Sequence, residues 1–162
     1  MDKDFLTVVK KISEILLKND LKLSIAESCT GGFISNAITN LPGSSRFFGM
    51  SVISYSKESK VSVLGISHHK LKKYGVISEE TAVAMAKSVK KIADADVSLS
   101  VTGITGPETM EDREVGLVYM AVEFRDLAES KGMKFSGNRE EIKRQASLEA
   151  LKFLNQVLRT WI

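Results

Sequence analysis

The order in which strand-like and helix-like segments alternate constrains this chain more than any other feature. Three apolar runs read as strands: residues 21–26 (LKLSIA), 48–55 (FGMSVISY) and 96–101 (DVSLSV). Each feeds a loop rich in serine, threonine or glycine. Phe5, Val8, Val9, Ile12 and Leu16 recur at helical spacing and predict an amphipathic helix over 3–19. Further helices are predicted over about 30–39, 57–64 and 68–74, with Gly65 and Gly75 closing the last two. Ser78, followed by Glu79 and Glu80, starts a helix over 79–93 that buries Ala82, Val83, Ala86, Val89 and Ile92. Residues 115–124 (VGLVYMAVEF) form a long strand; 125–130 is a turn region, and 131–135 returns antiparallel. Asn138 with Glu141 makes a capping-box pair for a last helix, buried through Ile142, Ala146, Ala150, Phe153, Leu154, Val157 and Leu158. Strands separated by helices and then a hairpin imply an α/β fold, a mixed sheet with helices on both faces. In such sheets, sites gather where strand ends feed loops into helix starts.

Composition narrows the function classes. A chain of 162 residues with 43% hydrophobic and 27% charged residues fits one domain with a core that needs no staples. The net charge of +3 is spread among interleaved lysines and acids, so a nucleic-acid partner is not expected. One cysteine allows no intrachain disulfide and fits a reducing interior. No apolar run approaches the roughly 18 residues of a membrane span. The opening MDKDFLTVVKK lacks a signal-peptide layout, so a cytoplasmic location is expected. His68 and His69 are the only histidines and have no matching ligand set, so neither a metal nor another cofactor is expected.

Four groups of residues can carry chemistry. Ser28-Cys29-Thr30-Gly31-Gly32 follows a strand and opens a helix, where free N–H groups favour an anion; an ordinary cap and tight turn would look the same. Cys29 is a rival nucleophile, since a thiol at a helix start can ionise readily, but a base such as histidine is missing. Ser45, Tyr55 and Lys60 lie across a turn, a strand and a helix start, and are expected to converge at one end of the sheet. A neutral lysine can take a serine proton, and a tyrosine can bridge them, which is the economical arrangement in a chain poor in histidine. Ser44 and Lys57 are alternative nucleophile and base. The glycine-rich loop 102–107, with Gly103, Thr105 and Gly106, can bring backbone N–H groups to a substrate carbonyl. Arg139 and Arg144, at the start of the last helix, can each bind a phosphate.

The motifs AESCTGG (26–32), PGSSRFF (42–48), SYSKESK (54–60), GVISEETA (75–82), SVTGITGP (100–107), VGLVYMAV (115–122) and SGNREEIKRQA (136–146) resemble, in order and spacing, the CinA C-terminal domain family. That family includes stand-alone nicotinamide mononucleotide (NMN) deamidases. The resemblance implies a three-layer α/β/α sandwich around a mixed, mostly parallel sheet of about five strands, and a homodimer. It implies metal-free hydrolysis of the NMN carboxamide, with Ser45 as nucleophile, Lys60 as base and Tyr55 as third member. It implies a pyridine-nucleotide substrate held by residues 28–32, the 102–107 loop or Arg139 and Arg144. A catalytically silent nucleotide-binding or partner-binding module is the alternative. One departure stands out. Family members often carry a Gly-Gly pair after the TGITGP-like motif and Lys-Pro before the next strand, whereas residues 108–114 here are ETMEDRE.

Overall fold

The structure, a computed structural model, describes residues 2–162. In chain order its elements are α1 (Lys3–Lys18), β1 (Leu23–Glu27), α2 (Phe33–Thr39), a 3₁₀ turn (Ser44–Arg46), β2 (Phe48–Ile53), α3 (Lys57–Ser62), α4 (His68–Tyr74), α5 (Glu79–Ala93), β3 (Val97–Gly103), β4 (Leu117–Phe124), β5 (Leu127–Lys134) and α6 (Arg139–Trp161). The strands form one sheet in the order β2-β1-β3-β4-β5. β1 is parallel to β2 and to β3, while β4 is antiparallel to β3 and β5. β4 therefore runs against the other four, and the sheet is mixed but mostly parallel in direction. Helices α1, α2 and α6 cover one face and α5 the other, which gives the expected three-layer α/β/α sandwich.

The period of two along the central strands explains the layers. Leu23 and Ile25 of β1, Val97, Leu99 and Val101 of β3, and Val118, Met120 and Val122 of β4 enter the core beneath α1, α2 and α6. Leu99 is wholly buried, and its replacement by Ala is expected to cost about 2–5 kcal/mol. The opposite face of β3 is polar. Ser98 Oγ donates to the Ala86 carbonyl (2.7 Å), Ser100 Oγ to that of Ala82, and Thr102 Oγ1 to that of Val76 (2.9 Å). Ala82 and Ala86 are small enough to let α5 lie this close to the sheet. The buried hydroxyls are thereby satisfied rather than orphaned.

Local signals place the helix ends. Ser78 accepts from the Thr81 N–H at the start of α5, and Asn138 with Glu141 forms a complete capping box on α6. Three expectations need correction. The hairpin turn after β4 is only Arg125-Asp126, so β5 starts at Leu127 and pairs over eight residues. Its polar edge-strand sequence hid it from periodicity. Ile92 is 45% exposed and does not join the buried face of α5. Helix α2 begins at Phe33 rather than near 30, because Gly31 and Gly32 adopt φ of 60° and 96° and hold the preceding residues in a turn.

Candidate active site

A cavity of about 520 Å³ opens where β1 and β3 end, between the start of α3, the loop after β3 and the start of α6. Parallel strands bring their C-terminal ends to one edge, so loops far apart in sequence share its wall. Ser28 follows β1 directly; its N–H donates to the Val101 carbonyl at 3.0 Å. Ser54 follows β2, and its N–H donates to the Glu27 carbonyl at 2.9 Å. These two bonds hold the strand ends level.

Lys60, in the last turn of α3, reaches into the wall between them. It is only 2% exposed. Its Nζ donates to Ser28 Oγ at 2.9 Å and to the Ser54 carbonyl at 2.7 Å. Burial pushes its ammonium down to about 8, while Cys29 and Glu111 act in the opposite direction. A lysine in that range is neutral often enough near neutral pH to serve as a base. Its hydroxyl neighbour is Ser28, also buried. Cys29 lines the same cavity, but burial pushes its thiol up to about 12, with Lys60 pulling back only partly. It stays a thiol at ordinary pH, which removes the activation expected of a cysteine at a helix start.

Glu27 narrows the anion-binding reading of residues 28–32, because it already claims the Gly32 amide and the Thr30 hydroxyl. This carboxylate is wholly buried beneath the turn. Its Oε2 accepts from Thr30 Oγ1 (2.6 Å) and from the Gly32 and Ile34 N–H groups (3.0 and 3.2 Å). Its Oε1 accepts from the Ser35 N–H (2.8 Å) and from Ser35 Oγ. The start of α2 thus already holds an anion, one supplied by the chain itself. Thr30, Gly31 and Gly32 support the turn from behind; Ser28 and Cys29 face the cavity.

Ser45 does not meet Lys60. It sits exposed on the 3₁₀ turn that precedes β2, outside the cavity wall, and Ser44 shares that turn. Tyr55 lies past the far end of β2. Six extended residues at about 3.3 Å each put roughly 20 Å between the two ends of the strand. The expected convergence of Ser45, Tyr55 and Lys60 fails for this reason. Tyr55 is 58% exposed and forms part of the cavity rim, where its hydroxyl accepts from Arg139; the same guanidinium also donates to the Gly106 carbonyl. Lys57 is on the same rim. Arg144 is elsewhere: it pairs with Asp2 and stacks over the Phe5 ring, 5.6 Å from its centroid.

The loop after β3 supplies the facing wall. Thr105 and Gly106 line it. Gly103 does too, but its missing side chain serves packing: a Cβ there would stand 2.7 Å from the Leu117 carbonyl oxygen and from Val118 Cγ2. Residues 108–112 and 114 are solvent-exposed, yet the segment is ordered by a turn and a side-chain contact. Met110 bridges Arg113 across a tight turn whose central residues, Glu111 and Asp112, both have φ of 55°. Glu111 reaches across to accept from the Val76 and Ile77 N–H groups at 2.9 and 3.3 Å.

Residues 6–158 match the model of the CinA C-terminal domain. The chain belongs to the CinA C-terminal domain family. A competence-damage inducible protein of Caldicellulosiruptor saccharolyticus is 44% identical over 153 residues, covering 94% of this chain and 37% of its own length. The CinA-like protein of Endomicrobium trichonymphae is 42% identical over 153 residues, covering 94% and 36%. The chain thus spans about a third of the length of these curated relatives. A CinA superfamily protein of Klebsiella pneumoniae has the same fold, with a TM-score of 0.94 at 28% identity, covering 99% of this chain and 100% of that one. One from Escherichia coli gives a TM-score of 0.93 at 32% identity, covering 97% and 92%.

Two members of this CinA-domain site escaped the sequence reading. Glu27 stands inside the motif AESCTGG, and an acid at a strand end directly before a helix turn was its only signal. Glu111 lies in a segment without periodicity and gave none. His68 and His69 open α4 and are exposed. Among the described residues no three His, Cys, Asp or Glu side chains gather to hold a metal ion, and no helix is long and apolar enough to cross a membrane.

Proposed function

We propose that this domain is an amidohydrolase that converts nicotinamide mononucleotide to nicotinate mononucleotide and ammonia, with Ser28 as nucleophile and Lys60 as general base. The observation that carries this reading is the buried Lys60 Nζ, 2.9 Å from Ser28 Oγ on a cavity wall. A buried amine with no carboxylate bonded to it is costly to keep charged, and that cost is what makes it a base.

The steps follow from that pair. Neutral Lys60 takes the Ser28 hydroxyl proton as Oγ attacks the carboxamide carbon. The C–N bond then breaks, and the Lys60 ammonium returns the proton to the leaving nitrogen as ammonia departs. Water, deprotonated by Lys60, attacks the resulting ester and releases the carboxylate, restoring Ser28. The amide of Cys29, next in the chain after the nucleophile and on the cavity wall, is assigned to the oxyanion. The amides of Gly32, Ile34 and Ser35 already serve Glu27. Lys57 and Arg139 on the rim suit the 5′-phosphate, and Tyr55 orients Arg139.

The test is to trap the intermediate. Acid quenching during turnover, then peptide mass spectrometry, is expected to find the nicotinoyl adduct on the peptide containing Ser28. An adduct on the Ser45 peptide instead would overturn the assignment. Turnover that gives ammonia with no adduct on any residue would point to direct attack by water.

A further inference from the structure

The β3–β4 loop crosses the cavity opposite Lys60, and its tip makes one well-defined docking contact. Glu111 places one carboxylate oxygen on the Val76 N–H and the other on the Ile77 N–H, 35 and 34 residues away in sequence. The backbone beneath is shaped for this. Gly75 has φ of 81°, and a Cβ there would meet Glu111 Oε2 at 2.6 Å. The loop's own turn places two non-glycine residues at positive φ, which costs backbone energy and needs a contact elsewhere to hold it.

We propose that Glu111 is a positioning residue of this site: its carboxylate clamps the β3–β4 loop across the cavity as a roof and fixes one negative charge opposite Lys60. The role rests on the reading of Lys60 as base, but both its parts can be measured without turnover. The titratable or charged groups that share the cavity wall with Lys60 are Cys29 from the β1–α2 turn, Tyr55 and Lys57 before and within α3, Glu108 and Glu111 from the loop after β3, and Arg139 from α6. Glu111 is the carboxylate among them whose charge acts on Lys60, raising its pKa against burial. Cys29, a neutral thiol below about 12, exerts no such pull near pH 8. The clamp therefore does two things at once. It closes the wall, and it keeps Lys60 from losing its proton too early to return one to the leaving nitrogen.

Two variants separate these roles. Glu111→Gln keeps the side-chain length and one acceptor oxygen but removes the charge; Glu111→Ala removes both. The lysine side chains of uniformly ¹³C-labelled protein are titrated by NMR, with Lys60 assigned from the spectrum of Lys60→Met. Glu111→Gln is expected to move the Lys60 midpoint down by about half a pH unit to one unit. An unchanged midpoint overturns the charge role, whether or not the protein releases ammonia. Limited trypsin digestion reports the roof, because Arg113 lies on the clamped turn. Glu111→Ala is expected to speed cleavage after Arg113 about tenfold, and an unchanged rate overturns the clamp. In an active enzyme, the rising limb of kcat/KM against pH is expected to shift down with Glu111→Gln in step with the NMR midpoint. A limb that stays put while the midpoint moves means that Lys60 is not the base, which faults the proposed mechanism and not the clamp.

Discussion

Two serine-bearing turns stand at opposite ends of two neighbouring parallel strands, and only one of them is equipped for chemistry. The turn with Ser44 and Ser45 enters β2; Ser44 is buried, Ser45 is exposed, and neither lines the cavity. The turn with Ser28 leaves β1, is braced from below by the buried Glu27, and meets Lys60. Ser45 is the nearer to Lys60 in sequence, by 15 residues against 32. An extended strand carries its two ends apart, whereas two parallel strands bring distant loops to one edge. Sequence proximity is therefore the wrong measure in a parallel sheet, and strand polarity is the right one.

The largest expected effect tests the equipment of the Ser28 turn. Lys60→Met should lower kcat/KM about 10³-fold or more, within the range of lost general-base and nucleophile activation. Its melting temperature should stay level or rise, because a buried amine is replaced by an apolar side chain of similar length. Calorimetry on the same samples separates the two readings, since a mutant that loses activity by unfolding would melt earlier. Glu27→Ala should do the reverse of Lys60→Met. It removes the acceptor of five hydrogen bonds in the interior. A stability loss of about 3–5 kcal/mol by urea unfolding is expected. A loss below about 1 kcal/mol would mean that the turn does not need its brace.

The pH dependence is a smaller effect with a definite sign. The folded-state pKa of Lys60 is depressed, from 10.5 to about 8. Below pH 8 the ammonium is carried in both states, and the folded protein bears the full cost of burying it. Between pH 8 and 10.5 the unfolded chain binds more protons, so this group's contribution to stability rises with pH, by about 3 kcal/mol at most. Comparing unfolding of wild type and Lys60→Met at pH 7.5 and 9.5 checks it; the gap should narrow at the higher pH. In turnover, kcat/KM should climb up to about pH 8 and then level off. The smallest effect belongs to the rim. Tyr55→Phe loses only the hydroxyl that Arg139 donates to, and should raise KM a few-fold with little change in kcat. A collapse of kcat there would put Tyr55 in the proton path.

Much of the fold was legible because local chemistry and tertiary packing agree. Ser78 and Asn138 cap α5 and α6 where the sequence put them, and the stripe from Ile142 to Leu158 is buried throughout α6. The start of β5 was not legible, since an edge strand that faces solvent needs no hydrophobic alternation. Lys60 was found through the family resemblance, and its burial is a property of the fold: α3 delivers it to strand ends that no local pattern brings together. Ser28 was read as a binding residue, because from sequence a strand-to-helix turn offers its amides to an anion. That its own Glu27 takes the amides of Gly32, Ile34 and Ser35 depends on a side chain folding under the turn. Glu111 depends on a contact 34 residues away and had no local signature.

The central claim is that Ser28, and not Ser45, carries the reaction. The direct measurement is ammonia release from nicotinamide mononucleotide by wild type, Ser28→Ala and Ser45→Ala, with EDTA present and folding verified by circular dichroism. The account predicts release by wild type, none above background from Ser28→Ala, and a rate within about twofold of wild type from Ser45→Ala, as expected of a surface substitution. Activity that survives in Ser28→Ala but vanishes in Ser45→Ala would contradict it.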